Sequence, residues 1–281
     1  MKYLKAWVAT FGIFLTLNVF SQTSLDFGDD KYQPRLGQEG KDVIWLPTEN
    51  KLVTLMLKTA KVTPNDLVYD LGAGDGKIAI AAAKEFGARA VGIEFNADMA
   101  ALAQRNAIRA GVGDRVKIIN GDIFKEDFSK ATVLTLYLLP ELNMQLRPTI
   151  LKMKPGTRVV SHAFSMGDWY PDAEFDSPAI SYYWVVPAPI DGVWTISGME
   201  PQNKVTLKIA QLFQDIGGIL QIGESSQPIL SPKLNGAKLS FSYIDRNKNS
   251  HKVSVTIDNN EFKGIDKIGG FFTSEIIGKR N

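Results

Sequence analysis

The stretch Val68-Tyr69-Asp70-Leu71-Gly72-Ala73-Gly74-Asp75-Gly76 sets an apolar run and an acid directly before three alternating glycines. The residues that follow, 77–84, have the composition of a helix. A strand, a tight glycine turn and a helix bring backbone amides close to a nucleotide-like ligand. The dinucleotide fingerprint G-x-G-x-x-G, started at Gly72, requires Gly or Ala at a position where this chain has Lys77. The motif therefore predicts a nucleotide-like ligand other than a dinucleotide.

Three later apolar segments also end in polar side chains where a strand should stop: 89–94 at Glu94, 116–122 at Asp122 and 131–137 at Tyr137. Glu94 lies 24 residues after Asp70, close to the distance at which an acid binds ribose hydroxyls. Ligands of open α/β sheets bind outside the carboxyl ends of the strands, so we expect these four side chains to meet at one site. The alternative is a set of unrelated strand-capping acids, since acids favour turns and N-caps.

The spacing D-x-G-x-G-x-G over residues 70–76 resembles motif I of the class I S-adenosylmethionine methyltransferases. In that class, an acid at the position of Asp122 meets the adenine amino group, and the next apolar residue, here Ile123, covers the ring. Strands that alternate with helices at this spacing predict a parallel sheet. The resemblance implies an α/β fold with a Rossmann-like seven-strand methyltransferase sheet, and S-adenosylmethionine as the cofactor.

Residues 42–172 resemble, more closely, the mitochondrial lysine methyltransferases that act on the ATP synthase c-subunit and the adenine nucleotide carrier, together with their bacterial relatives. The similar segments are Leu46-Pro47-Thr48, 70–76, 92–96, Asp122, Leu138-Leu139-Pro140, 155–161, Phe164 and Trp169. By this resemblance, the cofactor contacts Pro47, Thr48, Asp70, Gly72, Ala73, Gly74, Gly76, Glu94, Asn96, Asp122 and Ile123. The chain departs from the mitochondrial members in two features, a C-terminal β unit and a predicted export signal.

Methyl transfer to an amine needs a neutral nucleophile, whereas free lysine has a pKa of about 10.4. Desolvation beside a cationic sulfonium lowers that pKa, so we expect an apolar, aromatic mouth at the site. The catalytic candidates are Tyr137 and Glu141, and the substrate-binding candidates are Leu138, Leu139, Pro140 and Trp169. For these residues, packing in the core or exposure on the surface stays open as the alternative.

Residues 1–21 are predicted to be a signal peptide, because a short basic start precedes an apolar run that is too short to span a bilayer. The sequence therefore predicts an exported, periplasmic protein, with anchoring in the membrane through an uncleaved N-terminal segment as the alternative.

The rest of the chain divides by composition into three predicted parts: a polar linker or lid at 22–43, an S-adenosylmethionine-binding methyltransferase domain at 44–199, and a small antiparallel β domain at 200–281. Residues 181–186 and 192–196 are predicted to form the final antiparallel pair of the methyltransferase sheet. Alternating apolar residues in the last part predict a sheet or sandwich with one solvated face.

The 281 residues carry a net charge of +2, no cysteine and two histidines. A net charge this small does not indicate a surface that binds nucleic acid. Without cysteine, neither a thiolate zinc site nor a disulfide framework is possible. We therefore expect no metal and no nucleic-acid partner. Two functions stay open: an S-adenosylmethionine-dependent methyltransferase that N-methylates a lysine of a protein, with a membrane-embedded acceptor as one option, and an exported non-catalytic module that binds an S-adenosylmethionine-like ligand. The strand-end acids favour the first function, and the export signal favours the second.

Overall fold

A computed structural model of the protein describes residues 27–200 and 204–281. The predicted signal peptide, residues 1–21, lies outside the described residues. Within them the chain forms four helices and sixteen strands, arranged in a seven-stranded and a nine-stranded sheet. None of the helices in this part of the chain is long and apolar enough to cross a bilayer.

The first sheet alternates with helices along the chain. Its elements are α1 (Asn50–Thr59), β1 (Leu67–Leu71), α2 (Lys77–Phe86), β2 (Arg89–Glu94), α3 (Ala97–Arg109), β3 (Val116–Asn120), β4 (Val133–Leu136), α4 (Pro140–Ile150), β5 (Arg158–His162), β6 (Ala173–Phe175) and β7 (Ser181–Val185). The strand order is β3-β2-β1-β4-β5-β7-β6. Strands β1 to β5 are parallel, and β7 is antiparallel to both of its neighbours. The predicted seven-strand α/β sheet is confirmed.

The two central strands, β1 and β4, are almost completely buried. Residues of α1 and α2 pack on one face of the sheet, and α4 packs on the other with the indoles that follow β5. Burial on both faces explains why these strands read as continuous apolar runs. From β1 the chain crosses to β2 on one side and later returns to β4 on the other, so the carboxyl ends of β1 and β4 border a crevice.

Local signals set where the helices beside this crevice begin. Gly76 precedes α2 in the left-handed conformation, with φ of 83°, which a residue with a Cβ rarely adopts. Asn96 caps α3, because its side-chain oxygen accepts a hydrogen bond from the Met99 backbone N–H at 3.0 Å. The first turns of α2 and α3 are therefore held at the edge of the crevice.

The second sheet is entirely antiparallel. Its strands are β8 (Gly192–Ser197), β9 (Val205–Leu212), β10 (Asp215–Ile222), β11 (Ser225–Pro228), β12 (Leu230–Asn235), β13 (Lys238–Ile244), β14 (Ser250–Asp258), β15 (Glu261–Ile268) and β16 (Phe272–Arg280). The predicted small C-terminal antiparallel β domain is confirmed as a separate sheet of this kind.

This second sheet closes on itself. Its two outermost strands, β11 and β12, are consecutive parts of one extended segment that pairs with β10 through its first half and with β13 through its second. Between the two halves, Ile229 N–H donates to Gly218 O at 3.0 Å. Buried apolar side chains of alternating residues fill the interior. The strands thus form a barrel rather than the open sheet or two-sheet sandwich expected from the sequence.

Strand β8 corrects the predicted pairing of residues 181–186 with 192–196. In the structure, β7 pairs with β5 and β6, whereas β8 pairs with β9 and β16 of the barrel. Pro187 and Pro189 stand between β7 and β8 and have no N–H to continue a ladder. Trp194 then turns into the barrel and packs on Phe262 with ring centroids 5.2 Å apart. A boundary between the two sheets therefore falls before β8, ahead of residue 199.

The two sheets touch where the β9–β10 turn meets the loop after β5. Gln214 Oε1 accepts a hydrogen bond from the Trp169 indole N–H at 2.8 Å, and Phe213 stacks on the same indole at 6.0 Å. This contact lies at one end of the barrel, and the β13–β14 and β15–β16 turns lie at the other end.

Candidate active site

A cleft of about 720 Å³ opens at the carboxyl ends of β1, β2 and β4, a size suited to a nucleoside-sized ligand. Residues 38–48, which we call the strap, form its outer wall. The predicted site residues that line it are Pro47, Thr48, Asp70, Gly72, Ala73, Gly74, Glu94, Asn96, Asp122, Ile123, Tyr137, Leu138 and Leu139. The structure therefore brings the four strand-end side chains to one cleft, as the spacing of the acids suggested.

Glu94 fastens the glycine turn to the end of β2. Its two carboxylate oxygens accept hydrogen bonds from the backbone N–H groups of Gly74 and Asn96, both at 2.9 Å. Burial raises the pKa of Glu94, and the backbone N–H groups oppose that rise. Each oxygen has a second lone pair, so the carboxylate can also accept from hydroxyl groups of a ligand in the cleft.

Asp70 lies buried at the bottom of the cleft. Its Oδ1 accepts a hydrogen bond from the Thr135 hydroxyl at 2.7 Å. Burial raises the pKa of Asp70 to about 7; the Thr135 hydrogen bond opposes this rise, and the charges of Asp75 and Glu94 add to it. A cationic group in the cleft would favour the ionised form of this carboxyl.

Asp122 closes the cleft on the β3 side. One carboxylate oxygen accepts from the Phe124 backbone N–H at 3.0 Å, and the other lies 3.1 Å from Lys41 Nζ on the strap. These contacts lower the pKa of Asp122. The same ammonium lies 5.3 Å from the centroid of the Phe95 ring. An ion pair and a cation–π contact thus tie the strap across the cleft.

The strap is also held at its base. Upstream of it, Asp29 receives Arg105 Nε at 2.6 Å and Arg109 Nη1 at 2.8 Å from α3, and these guanidinium groups hold the pKa of Asp29 well below its usual range. At its other end, Trp45 packs on Gly74, where an added Cβ would lie 2.6 Å from the indole nitrogen. Gly74 therefore allows the close approach of the Trp45 indole as well as the backbone conformation of the turn.

An aromatic wall stands at the end of β4. The Tyr137 ring stacks on His162 with centroids 3.9 Å apart, and the Phe164 ring is 6.3 Å from that of Tyr137. The Thr48 hydroxyl lies 3.3 Å from His162 Nδ1. Burial lowers the pKa of His162, which favours the neutral ring. Beside this wall Leu139 keeps 41 % of its surface exposed, so the mouth of the cleft is apolar.

Residues 70–173, which contain this cleft, match the model of the ANTKMT methyltransferase domain. The Protein-lysine N-methyltransferase of Saccharolobus islandicus (strain REY15A) is 47 % identical over 131 residues, which are 46 % of this chain and 81 % of that relative. The chain belongs to this methyltransferase family. The predicted resemblance to the lysine methyltransferases of the ATP synthase c-subunit and the adenine nucleotide carrier is confirmed.

Two further comparisons bear on the fold and the cofactor. The crystal structure of an RNA methyltransferase from Salinibacter ruber in complex with S-adenosyl-L-homocysteine has 48 % identity and a TM-score of 0.51, and covers 52 % of this chain and 96 % of that one. The ATP synthase C-subunit lysine N-methyltransferase of Mus musculus is 33 % identical over 129 residues, 46 % of this chain and 51 % of the relative. The chain thus spans about half the length of that relative. It is an S-adenosylmethionine-dependent methyltransferase, as predicted.

The side chains that line the cleft of this methyltransferase are chemically suited to S-adenosylmethionine. Glu94 and Asp122 offer carboxylate oxygens for hydroxyl and amino donors, and Ile123 and Phe95 supply apolar surface for a base. Asp70, buried below the glycine turn, suits a cationic amino group. The individual contacts of these residues with S-adenosylmethionine stay predictions.

Four of the predicted site residues lie elsewhere. Trp169 is fully buried against Trp184, so it belongs to the core and not to the substrate mouth. Pro140 and Glu141 form the exposed first turn of α4 and are absent from the described lining of the cleft. Gly76 also lies outside that lining, where it caps α2. These positions follow a strand or turn that does reach the cleft, which is why the sequence pattern included them.

Several lining residues escaped the sequence interpretation. They are Gln38 to Leu46 of the strap, Asp75, Lys77, Ile78, Phe95, Met99, Leu142 and Phe164. Phe95 and Asp75 directly adjoin predicted site residues, so a wider window around each motif would have included them. Lys41 had no such signal, because it reaches Asp122 across 81 residues of sequence.

Proposed function

We propose that this methyltransferase N-methylates a lysine side chain of another protein. The observation that carries the proposal is the apolar, aromatic mouth formed by Tyr137, Phe164 and Leu139 next to the cofactor cleft. A lysine side chain is an apolar stem with a cationic head, and aromatic faces bind such heads while apolar walls cover the stem. A small polar metabolite would instead require several convergent polar groups at the mouth.

The acceptor amine has to lose its proton before transfer. S-adenosylmethionine supplies an already activated methyl group, so the protein has to orient and desolvate the amine. Glu141, our sequence candidate for a base, is exposed on α4, and Asp122 is engaged by Lys41. Desolvation in the apolar mouth, beside the cationic sulfonium of the cofactor, therefore lowers the amine pKa in this proposal and outweighs the cation–π attraction of the rings, and the proton leaves to solvent.

The names of two similar proteins support a protein as the methyl acceptor. The similar proteins from Saccharolobus islandicus and Mus musculus are a Protein-lysine N-methyltransferase and an ATP synthase C-subunit lysine N-methyltransferase. A membrane protein as acceptor would suit the exposed Leu139 at the mouth, since an apolar rim fits an apolar protein surface.

RNA is the second candidate acceptor, because the similar protein from Salinibacter ruber is an RNA methyltransferase. RNA binding relies on cations that neutralise phosphates. Of the two lysines in the cleft lining, Lys41 pairs with Asp122 and Lys77 donates to the Thr48 carbonyl at 3.0 Å. The mouth therefore favours the lysine acceptor.

The test offers the purified protein and radiolabelled S-adenosylmethionine to three fractions of the source cell: membranes, soluble proteins and RNA. We expect label on a lysine of a protein, located by mass spectrometry, and loss of that label with Glu94→Ala. Tyr137→Ala should reduce the label while cofactor affinity stays within about threefold, because Tyr137 acts on the acceptor. Label confined to RNA would overturn the lysine assignment and leave methyl transfer intact.

The export prediction stays a proposal as well. It rests on the basic start and apolar run of residues 1–21. N-terminal sequencing of the protein recovered from osmotically shocked cells should begin near Gln22 if the segment is cleaved. A protein that begins at residue 1 and sediments with membranes would favour the anchored alternative.

A further inference from the structure

The barrel end far from the cleft presents two adjacent aromatic side chains to solvent. Phe271 is 91 % exposed and Phe272 is 75 % exposed, the two highest values among the described large hydrophobic residues. They stand at the turn between β15 and β16. Exposed apolar residues are common singly, but an adjacent pair of aromatics at this degree of exposure marks a contact surface.

The turn itself makes these side chains protrude. Gly269 and Gly270 both have positive φ, 54° and 85°, and Phe271 N–H donates back to Ile268 O at 3.1 Å. The two glycines allow a tight reversal that places the phenylalanines at its apex. The apolar surface is therefore convex, which suits insertion into a soft surface better than the binding of a protruding side chain.

Positive charge lies beside this apex. Gly269 N–H donates to Ser250 O, which joins the β15–β16 turn to the loop of residues 245–249. The exposed cations at this end of the two hairpins are Arg246, Lys248, Lys252 and Lys267. Lys252 and Lys267 are cross-strand neighbours on the outer face. In the part of the chain that the structure describes, none of the four cations forms a salt bridge.

Two acids that adjoin these cations in sequence, Asp245 and Asp266, turn inward, whereas Glu275 of β16 is exposed. Asp266 is fully buried and receives the Tyr243 hydroxyl and His251 Nδ1, each at 2.8 Å. Asp245 lies 3.4 Å from His251 Nε2 and accepts from Asn249. The outer surface at this end thus keeps cations without the acids that adjoin them in sequence.

We propose that this end of the barrel, with Phe271 and Phe272 beside the cluster of these four cations, docks on the surface of an anionic lipid bilayer. Aromatic side chains enter the headgroup region, and lysine and arginine side chains bind acidic headgroups. The other end of the barrel contacts the methyltransferase sheet through Gln214, so docking leaves the sheet on the side away from the lipid. The proposal is independent of which group accepts the methyl.

The absence of cysteine from the chain permits a site-specific test on the full-length protein. Phe271→Cys carries an environment-sensitive fluorophore at the apex, and Asn260→Cys carries the same fluorophore on the β14–β15 turn at the opposite end of the barrel. Both are mixed with vesicles of phosphatidylcholine alone or with added phosphatidylserine. We expect a blue shift and quenching by lipid-borne quenchers at position 271 only, and only with phosphatidylserine. This comparison holds even if the N-terminal segment also binds lipid.

Two variants complete the test by flotation with the same vesicles. Phe272→Ser combined with Phe271→Ser should lower partitioning about tenfold or more, because two buried aromatic side chains are lost. Lys252→Ser with Lys267→Ser should remove the preference for phosphatidylserine. No vesicle binding by the wild type, or equal fluorescence responses at positions 271 and 260, would overturn the proposal, whereas methylation activity would be unaffected by either result.

Discussion

In the first sheet, Asp70 and Glu94 lie at the carboxyl ends of parallel strands beside an open cleft, whereas in the barrel Asp266 is enclosed by neighbouring strands. Asp266 is fully buried and shares one oxygen between Tyr243 and His251. Glu94 also holds two donors, but it keeps lone pairs toward the cleft. The comparison shows two roles for an acid. It can bind a ligand where parallel strands end at a change in strand order, and it stabilises the fold where strands close into a barrel.

The largest effect expected from this comparison is on the stability of the barrel. Asp266→Ala leaves the Tyr243 hydroxyl and His251 Nδ1 without their buried acceptor, so the free energy of unfolding should fall by about 2–5 kcal/mol. Urea denaturation measures this loss. The exposed Asp258→Ala, on the same barrel, serves as the control and should stay within about 0.5 kcal/mol of wild type.

Cofactor affinity decides whether Asp266 is purely structural. Calorimetry with S-adenosylmethionine at a temperature where Asp266→Ala is folded should give the wild-type affinity. A folded variant with impaired binding would contradict the assignment of ligand binding to the first sheet and of a purely structural role to Asp266.

The next effect is a pH dependence from Asp70. Burial raises its pKa to about 7 in the folded state, above the usual 3.8. Between these pH values the Asp70 carboxyl is ionised in the unfolded chain but protonated in the folded protein. The stability that Asp70 contributes is therefore fully present below pH 3.8 and is lost as the pH rises to about 7. Asp70→Asn removes that loss and should make the variant more stable than wild type at pH 8, by up to about 4 kcal/mol.

The measurement is the free energy of unfolding of the cofactor-free protein against pH for wild type and Asp70→Asn. Thr135→Val removes the hydroxyl that stabilises the ionised form, so the loss of stability should extend to higher pH in that variant. Parallel pH profiles for wild type and Asp70→Asn would show that Asp70 does not retain its proton in the folded state.

The third effect is on the cofactor site itself. Glu94→Ala removes a charged acceptor, so affinity for S-adenosylmethionine should fall by roughly tenfold to a thousandfold. The variant should also lose about 1–3 kcal/mol of stability, because the Gly74 and Asn96 N–H groups lose their partner. Titration calorimetry and urea denaturation give the two numbers. Glu126→Ala, outside the described cleft lining, is the control, and unchanged affinity in folded Glu94→Ala would refute the assignment of Glu94.

The patterns that could be predicted from the sequence are local ones. Asp70 to Gly76 specifies a strand, a turn and a helix within a short window, and the acids that end β2 and β3 follow the same rule. Trp169 shows the limit, because its place in the core depends on Trp184 and on Phe213 of the barrel, which no local pattern relates to it. Closure of the barrel likewise depends on strands distant in sequence.

The contacts of the first part of the strap and of the segment before it could not be predicted for the same reason, although Pro47 and Thr48 at the end of the strap were predicted to contact the cofactor. Residues 22–43 are polar and lack hydrophobic periodicity, so composition indicates only a linker or lid. Asp29 meets Arg105 across 76 residues of sequence, and the pairing follows from the folded position of α3. Charge matching over such a separation is visible only once the sheet has placed both partners.

The smallest predicted effect concerns the strap. Lys41 and Lys125 both approach Asp122, at 3.1 Å and 3.9 Å, but Lys41 belongs to the strap and Lys125 to the turn that carries Asp122. Lys41→Ala should therefore speed release of S-adenosylmethionine about two- to fivefold, whereas Lys125→Ala should leave the release rate near wild type. Stopped-flow displacement at low and high salt provides the measurement. The difference between the two variants should shrink at high salt, because both ammonium groups are at least partly exposed and salt screens such pairs. Equal release rates at low salt would mean that the ion pair does not hold the strap, and that Asp29 and Trp45 suffice to keep it over the cleft.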